Sequence, residues 1–371
     1  MKIGTDQYNT FDTMTMDCWN DRVYYEGKEF PAGQFAAEIL NFAGVIHDPL
    51  LERITVLTAL VDDLSTAEKS KRHDIAAQLK PLLHDTVSWL YTCPPFCYCE
   101  SQGAYEDLEH ALSEERLDRD YEEGEAHLPY LALSSCEPIL RILVAIYNFC
   151  LLIRTFEMKY LRGSKQRNAD AFAKAAHECF DEDDSFLILL EQMPFGGVEE
   201  FFSYPRVITG FNYFQDENNE EKWKTAQRVI CKRAIDFYVF DLMNGLHHGH
   251  APSQCQGCGR YFLTTNGHIP KYCDGVAPQD NRYTCRQYGA MMHQKEQNKQ
   301  HPVYRLFNTR TDTIRKHHWR GKISDELRRE ALYLAGSYRD KALMDNDYAA
   351  DGYARDMELE HIYAEAEKRL K

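Results

Sequence analysis

Four cysteines, Cys255, Cys258, Cys273 and Cys285, constrain this chain more than any other feature, because their spacing is that of a single metal site. They stand in the runs Cys255-Gln-Gly-Cys258-Gly-Arg-Tyr-Phe-Leu, Lys-Tyr-Cys273-Asp-Gly and Tyr-Thr-Cys285-Arg-Gln. A Cys-x2-Cys knuckle followed by glycine lets two thiolates face one ion at a tight turn, and a second pair downstream completes a tetrahedral sulfur cage. The residues between Cys258 and Cys273 suffice for a short hairpin, with Tyr261-Phe262-Leu263 outbound, a turn at Asn266-Gly267 and Lys271-Tyr272-Cys273 on return. Cys285 then opens a helical stretch from Arg286 to Gln297, so that knuckle, hairpin and helix form a treble-clef-like arrangement. So short a segment has too little apolar surface to hold itself together. One zinc ion (Zn2+) would supply on the order of 10–16 kcal/mol to it. Four sulfurs leave no coordination position for water, so the expected site is structural and not catalytic.

The run from Cys255 to Leu263, followed by Tyr-Cys273-Asp, Thr-Cys285-Arg-Gln-Tyr-Gly-Ala and a basic helical tail, resembles the C-terminal part of an uncharacterised bacterial family known only as a domain of unknown function (6076). More distantly, the segment is similar to the CGNR-type zinc finger at the C-terminus of some bacterial regulators. Two departures are visible: Cys285-Arg286-Gln287 lacks the Gly-Asn that names that type, and the gap from Cys273 to Cys285 is longer than the second pair of most zinc fingers. The resemblance implies a structural metal site and, through the regulators, contact with DNA.

A chain of 371 residues is long enough for two or three cores. Its twelve cysteines are too sparse and uneven for a disulfide scaffold, and Met-Lys-Ile-Gly-Thr-Asp does not begin a signal peptide. Both observations predict a reducing, cytoplasmic setting. The apolar run from Ile142 to Ile153 is bracketed by Arg141 and Arg154, well short of the ~20 residues that cross a bilayer, and is expected to be a buried core helix. Charge is divided along the chain. Residues 255–322 carry 12 Lys and Arg against 4 Asp and Glu, whereas residues 1–254 carry 23 against 42. A basic metal module therefore follows an acidic body.

The expected organisation is a mainly α protein: an acidic α-helical body over 1–250 with a short β element near 20–30, a four-cysteine zinc module over 251–300, and a basic helix with a peripheral helical tail over 301–371. Pro31 can start a helix, Pro138 can open a long one to about Leu161, and Ala169 to Met193 reads as another, broken by Pro194-Phe195-Gly196-Gly197. Residues 218–244 read as the last helix of the body, through Val229, Ile230, Ile235, Phe237 and Phe240. Few strands are expected outside the hairpin. On the helix from about Pro302 to Arg320, Val303, Phe307 and Ile314 share one face, and Arg305, Arg315, Lys316, Trp319 and Arg320 gather opposite. Gly321 is its expected terminator and Ser324 the cap of the next helix.

Arg260, Lys271, Arg282, Arg286, Arg305, Arg315, Lys316, Trp319 and Arg320 are the candidate nucleic-acid contacts, cations for phosphate with rings interleaved for bases or sugars. DNA is favoured over RNA, with the acidic body as sensor or partner-binding part. Two other readings stay open: a protein-interaction module whose zinc finger is purely structural, and a metal-dependent nuclease drawing on His247, His248 and His250. No catalytic residue is assigned, since no nucleophile elbow, phosphate loop, dinucleotide fingerprint or His-Glu-x-x-His motif occurs. Cys93, Cys97 and Cys99, spaced unlike any common zinc knuckle, read as free thiols. No membrane association is expected.

Overall fold

The computed structural model describes residues 13–43, 49–99, 102–118, 121–123, 126–128, 130–164, 166–191, 206–216, 219–265, 267 and 270–370. The chain divides into two compact units, Met1–Cys273 and Asp274–Lys371.

The first unit is built on a five-stranded antiparallel sheet as well as on helices. Strands β1 (Met14–Trp19), β2 (Arg22–Tyr25) and β3 (Lys28–Pro31) form a meander. Its second turn is two residues long, Glu26-Gly27, and both have positive φ, 47° and 71°, which matches the right-handed twist of a hairpin. The expected β element near 20–30 is this meander. Alternation then decides the faces: Met14, Met16 and Cys18 are buried. On the opposite face Asp17 accepts two hydrogen bonds from Arg228, at 2.8 and 2.9 Å, and one from Asn212 at 2.8 Å.

Strands β4 (Tyr121–Glu123) and β5 (Ala126–Leu128) make a separate ribbon, and β6 (Val207–Asp216) and β7 (Asn219–Cys231) complete the main sheet in the order β3-β2-β1-β7-β6. The all-α expectation for the body is therefore corrected. The helix expected over 218–244 is strand β7 followed by a helix from Ala234 to His247. The Glu, Lys, Ala, Gln and Arg content of β7 favours helix, but ladders to β1 on one side and β6 on the other override that local preference.

Among the described residues, the α-helices of this unit are α1 (Gln34–Ile39), α2 (Pro49–Thr66), α3 (Lys69–Leu90), α4 (Gln102–Ala111), α5 (Glu114–Leu117), α6 (Tyr130–Phe156), α7 (Ala169–His177), α8 (Asp184–Glu191) and α9 (Ala234–His247). Helix α6 begins at Tyr130 and carries Pro138 inside it rather than at its start. Its run from Ile142 to Ile153 places Leu143, Ile146, Phe149, Cys150 and Ile153 in the main core, as expected of a core helix. The single helix expected over Ala169–Met193 is α7 and α8 joined by a π turn, and its Pro-Phe-Gly-Gly terminator lies outside the described residues.

Pro31 closes β3, and α1 starts only at Gln34. No local side chain caps α1. Its free amides are satisfied by Asp241 of α9, whose carboxylate accepts from Gly33 and Ala36 at 2.9 Å each. Burial pushes the Asp241 carboxyl up to about 7, and the amides of Ala36, Gly33 and Phe35 act against that rise. Around this junction Tyr25 packs edge to face with Phe35 and with Phe237, and Phe35 lies tilted against Phe237, with ring centroids 5.4 to 5.6 Å apart.

The second unit has its own core. Helices α10 (Cys285–Gln300), α11 (Pro302–Trp319), α12 (Asp325–Met344), α13 (Tyr353–Asp356) and α14 (Leu359–Leu370) follow a small hairpin. Val303 and Ile314 of α11 pack with Ala331, Leu334, Ala335, Tyr353, Met357, Ile362 and Ala366. The tail is thus more than peripheral helix. Helix α11 ends as the sequence indicates, with Gly321 at φ 68°, and Ser324 caps α12 by accepting from the Leu327 amide at 3.1 Å.

Candidate metal centre

The knuckle is made by a hairpin. Strand β8 (Ala251–Gln254) runs into Cys255, the chain turns through Cys258, and β9 (Tyr261–Thr264) returns against β8 with Gln254 opposite Tyr261. The Cys255 amide donates to the Arg260 carbonyl at 2.9 Å and the Gly259 amide to the Cys255 carbonyl at 2.9 Å, closing the loop. Gly259 has φ 74°, a conformation that glycine adopts without a side-chain clash. The segment Tyr261-Phe262-Leu263 therefore pairs backward with 251–254, and not forward with 271–273 as its spacing suggested. Lys271 instead accepts, through its carbonyl, the Gln256 amide at 2.8 Å, which brings Cys273 beside the knuckle.

Cys285 is set by a second device. Strands β10 (Val276–Ala277) and β11 (Asp280–Thr284) form a ribbon that ends at Thr284. There the Gln287 amide donates to Thr284 Oγ1 at 3.2 Å while the Thr284 amide donates to Gln287 Oε1 at 3.0 Å. This reciprocal capping box starts α10 at Cys285. The Cys285 amide also donates to the Gly275 carbonyl at 2.7 Å.

The four sulfurs all lie within 4.8 Å of one another, and Cys258 Sγ is 3.6 Å from Cys273 Sγ. Cys255, Cys273 and Cys285 are buried, and Cys258 is half-buried. Two amides point at one sulfur: Cys273 N and Gly257 N donate to Cys255 Sγ at 3.3 and 3.4 Å. Burial raises the Cys255 thiol, but the amides of Cys273, Cys258 and Gly257 outweigh it and lower the thiol to about 7. A set of four convergent sulfurs with donors stabilising the thiolate fits a metal ion.

Among the described residues no other group of three or more His, Cys, Asp and Glu side chains gathers in this way. Cys93 and Cys99 turn to different partners, the Trp89 carbonyl at 3.5 Å and the Tyr25 hydroxyl at 3.2 Å, and Cys97 is exposed. His250 is buried with Nδ1 2.9 Å from the Ala32 carbonyl, whereas His247 and His248 are exposed.

The candidate cations differ in their surroundings. Arg282 makes two bonds to Asp280, Arg286 pairs with Asp274 at 3.0 Å and Arg315 with Asp312 at 3.1 Å. Arg260, Lys271, Arg305, Lys316 and Arg320 are exposed and form no ion pair with the described residues. Trp319 is 86% exposed. Sequence reasoning missed a second surface, the aromatics Phe211, Tyr213 and Trp223 on the β6–β7 ribbon. Their two-residue alternation in Phe211-Asn-Tyr213 and Trp223-Lys-Thr225 was the available signal.

No curated protein and no solved structure matches the chain. Residues 203–369, which include all four cysteines, match the model of a family of unknown function, DUF6076.

Proposed function

We propose that Cys255, Cys258, Cys273 and Cys285 hold one zinc ion as a structural staple in a treble-clef-like module, and that the helical unit opened by Cys285 binds nucleic acid. The convergence of four sulfurs within 4.8 Å carries the metal assignment. Thiolates select soft or borderline ions, and a closed four-sulfur set is the ligand set of structural zinc. The ion adds local stability here and leaves no position for a reacting water.

The nucleic-acid reading rests on α11. Arg305, Lys316, Arg320 and Trp319 are exposed on the side of this helix away from Val303 and Ile314, and α10, whose first residue is Cys285, packs beside it. Cations for phosphate beside an exposed ring for a base or sugar are the ingredients of sequence-tolerant binding. The contact is expected to be smaller than the sequence indicates, because Arg282, Arg286 and Arg315 already have carboxylate partners. With three phosphates engaged by α11, the log–log salt slope for duplex DNA is about −2.7, or about a 40-fold loss of affinity between 50 and 200 mM salt. Fluorescence anisotropy with short duplex and single-stranded DNA across that range tests the reading; retention that does not depend on salt, or no binding to either probe, overturns it.

A further inference from the structure

The run His317-His318-Trp319-Arg320 ends α11 with an inverted order of polarity. Its imidazoles are half-buried and bonded: His317 Nδ1 lies 2.9 Å from the Tyr363 hydroxyl oxygen, and His318 Nδ1 lies 3.2 Å from the Ile323 carbonyl oxygen. The indole of Trp319, with more apolar surface to remove from water, is 86% exposed. It stacks on no other ring among the described residues. Ile314 of the same helix is fully buried, so α11 has an apolar face and Trp319 lies off it.

The backbone under the ring is fixed. The Arg320 amide donates to the Lys316 carbonyl at 3.0 Å, the Gly321 amide to the His318 carbonyl at 2.8 Å and the Lys322 amide to the His317 carbonyl at 2.9 Å. With Gly321 at φ 68°, this is the double closure of a glycine-terminated helix. Carbonyls whose partial negative charge would repel a phosphate are thereby paired with amides. Around the ring, Lys316, Arg320 and Lys322 are exposed and form no ion pair with the described residues. Lys316 lies one turn before Trp319, and the other two follow it closely in the chain. The first acid beyond them, Asp325, is held by Arg328 and Arg329 at 2.6 and 2.8 Å.

Resting on the reading that α11 binds nucleic acid, we propose that Trp319 stacks on an unpaired base and that this surface takes single-stranded nucleic acid in preference to duplex. Lys316, Arg320 and Lys322 then meet the phosphates on either side of the stacked base. Cations alone do not discriminate, because both forms carry phosphates. The ring does. A duplex keeps its base faces in its own stack, whereas an unpaired base offers a face to an aromatic side chain. The combination also selects the occupant: an acidic peptide would use the cations and leave the indole wet, and an apolar ligand would use the indole and leave the cations without partners. An anionic membrane would meet both, but a helix that lies in a membrane turns its apolar face to the lipid, and α11 buries that face, Val303 and Ile314, in the core of its own unit.

Fluorescence anisotropy of the full chain with labelled oligo(dT), oligo(rU) and a blunt duplex, at one salt concentration, tests this. The single strands are expected to bind more tightly than the duplex. Trp319→Ala is expected to weaken single-strand binding roughly 5- to 150-fold, as loss of one base-stacking ring does, and to remove the preference over duplex. Trp319→Phe should keep most of the preference, since it keeps a ring. Circular dichroism of each variant reports whether it remains folded, as the exposure of Trp319 implies. Duplex bound as tightly as the single strands, or a preference that survives Trp319→Ala, overturns the proposal and leaves nucleic-acid binding by α11 standing. Binding to none of the three probes overturns both, as does retention by phosphatidylserine vesicles alone.

Discussion

A methyl group on Gly245 of α9 would lie 2.8 Å from the Cα of Gly33, at the point where the backbone turns into α1. The Ala32 carbonyl oxygen and the Gly33 amide nitrogen stand at 3.0 and 3.1 Å from the same position, so backbone, and no flexible side chain, would have to yield. Gly245→Ala is therefore expected to destabilise the first unit by about 1–3 kcal/mol in chemical denaturation. Gly336→Ala gives the contrast. It lies inside α12 with nothing within 4 Å, and replacing it should stabilise the second unit by about 0.5–1 kcal/mol.

The same junction has a pH dependence with a definite sign. The Asp241 carboxyl titrates at about 7 in the folded chain against 3.8 for an ordinary aspartate, so the folded state holds the proton more tightly. The stability this contributes is complete below pH 3.8 and is lost as pH rises toward 7, at no more than about 1.4 kcal/mol per pH unit. Asp241→Asn should lack that slope, so the stability difference between wild type and variant should change with pH by up to about 1.4 kcal/mol per unit between pH 3.8 and 7. Urea denaturation at closely spaced pH values measures it, and parallel curves for the two proteins would count against a titrating Asp241.

Substituting one sulfur tests the staple. Cys258→Ser should reduce bound zinc from one ion per chain to a readily chelated fraction, read by metal analysis in reducing buffer. Limited proteolysis should then cut between Cys255 and Gln300 while the helices of the main core stay protected.

Neighbouring cations on α11 should behave differently in binding. Lys316→Ala and Arg320→Ala are each expected to reduce the salt slope for duplex DNA by about 0.9, because each removes one phosphate partner. Arg315→Ala should change it little, since Asp312 holds that guanidinium at 3.1 Å. Equal effects from Arg315 and Lys316 would contradict the assignment of the contact face.

What the sequence disclosed follows from the range of the forces involved. The cysteine knuckle, the bounds of α11 and the cap at Ser324 depend on residues within a few positions of one another, and the runs around Gly259, Pro302, Gly321 and Ser324 state them openly. Strand β7 depends on residues some two hundred positions away, and nothing in Lys224-Thr-Ala-Gln-Arg228 reveals that Asp17 awaits Arg228. The hairpin partner of Tyr261-Phe262-Leu263 was hidden by Pro252, which resembles a linker residue but sits opposite Leu263 in the ladder. Asp241 was illegible for a similar reason: a cap supplied across the fold leaves no mark beside the helix it caps.

The pairing of β1 with β7 sets an order of events during synthesis. Met14 finds its partner only at Cys231, so the N-terminal meander leaves the ribosome long before the strand that completes its sheet. Translation at ~5–20 residues per second makes that wait roughly ten to forty seconds. For that interval the buried edge of β1 is an open one, and a chaperone or the nascent helices must shield it. The cysteine segment has no such delay, because all its ligands emerge within a single short stretch of chain.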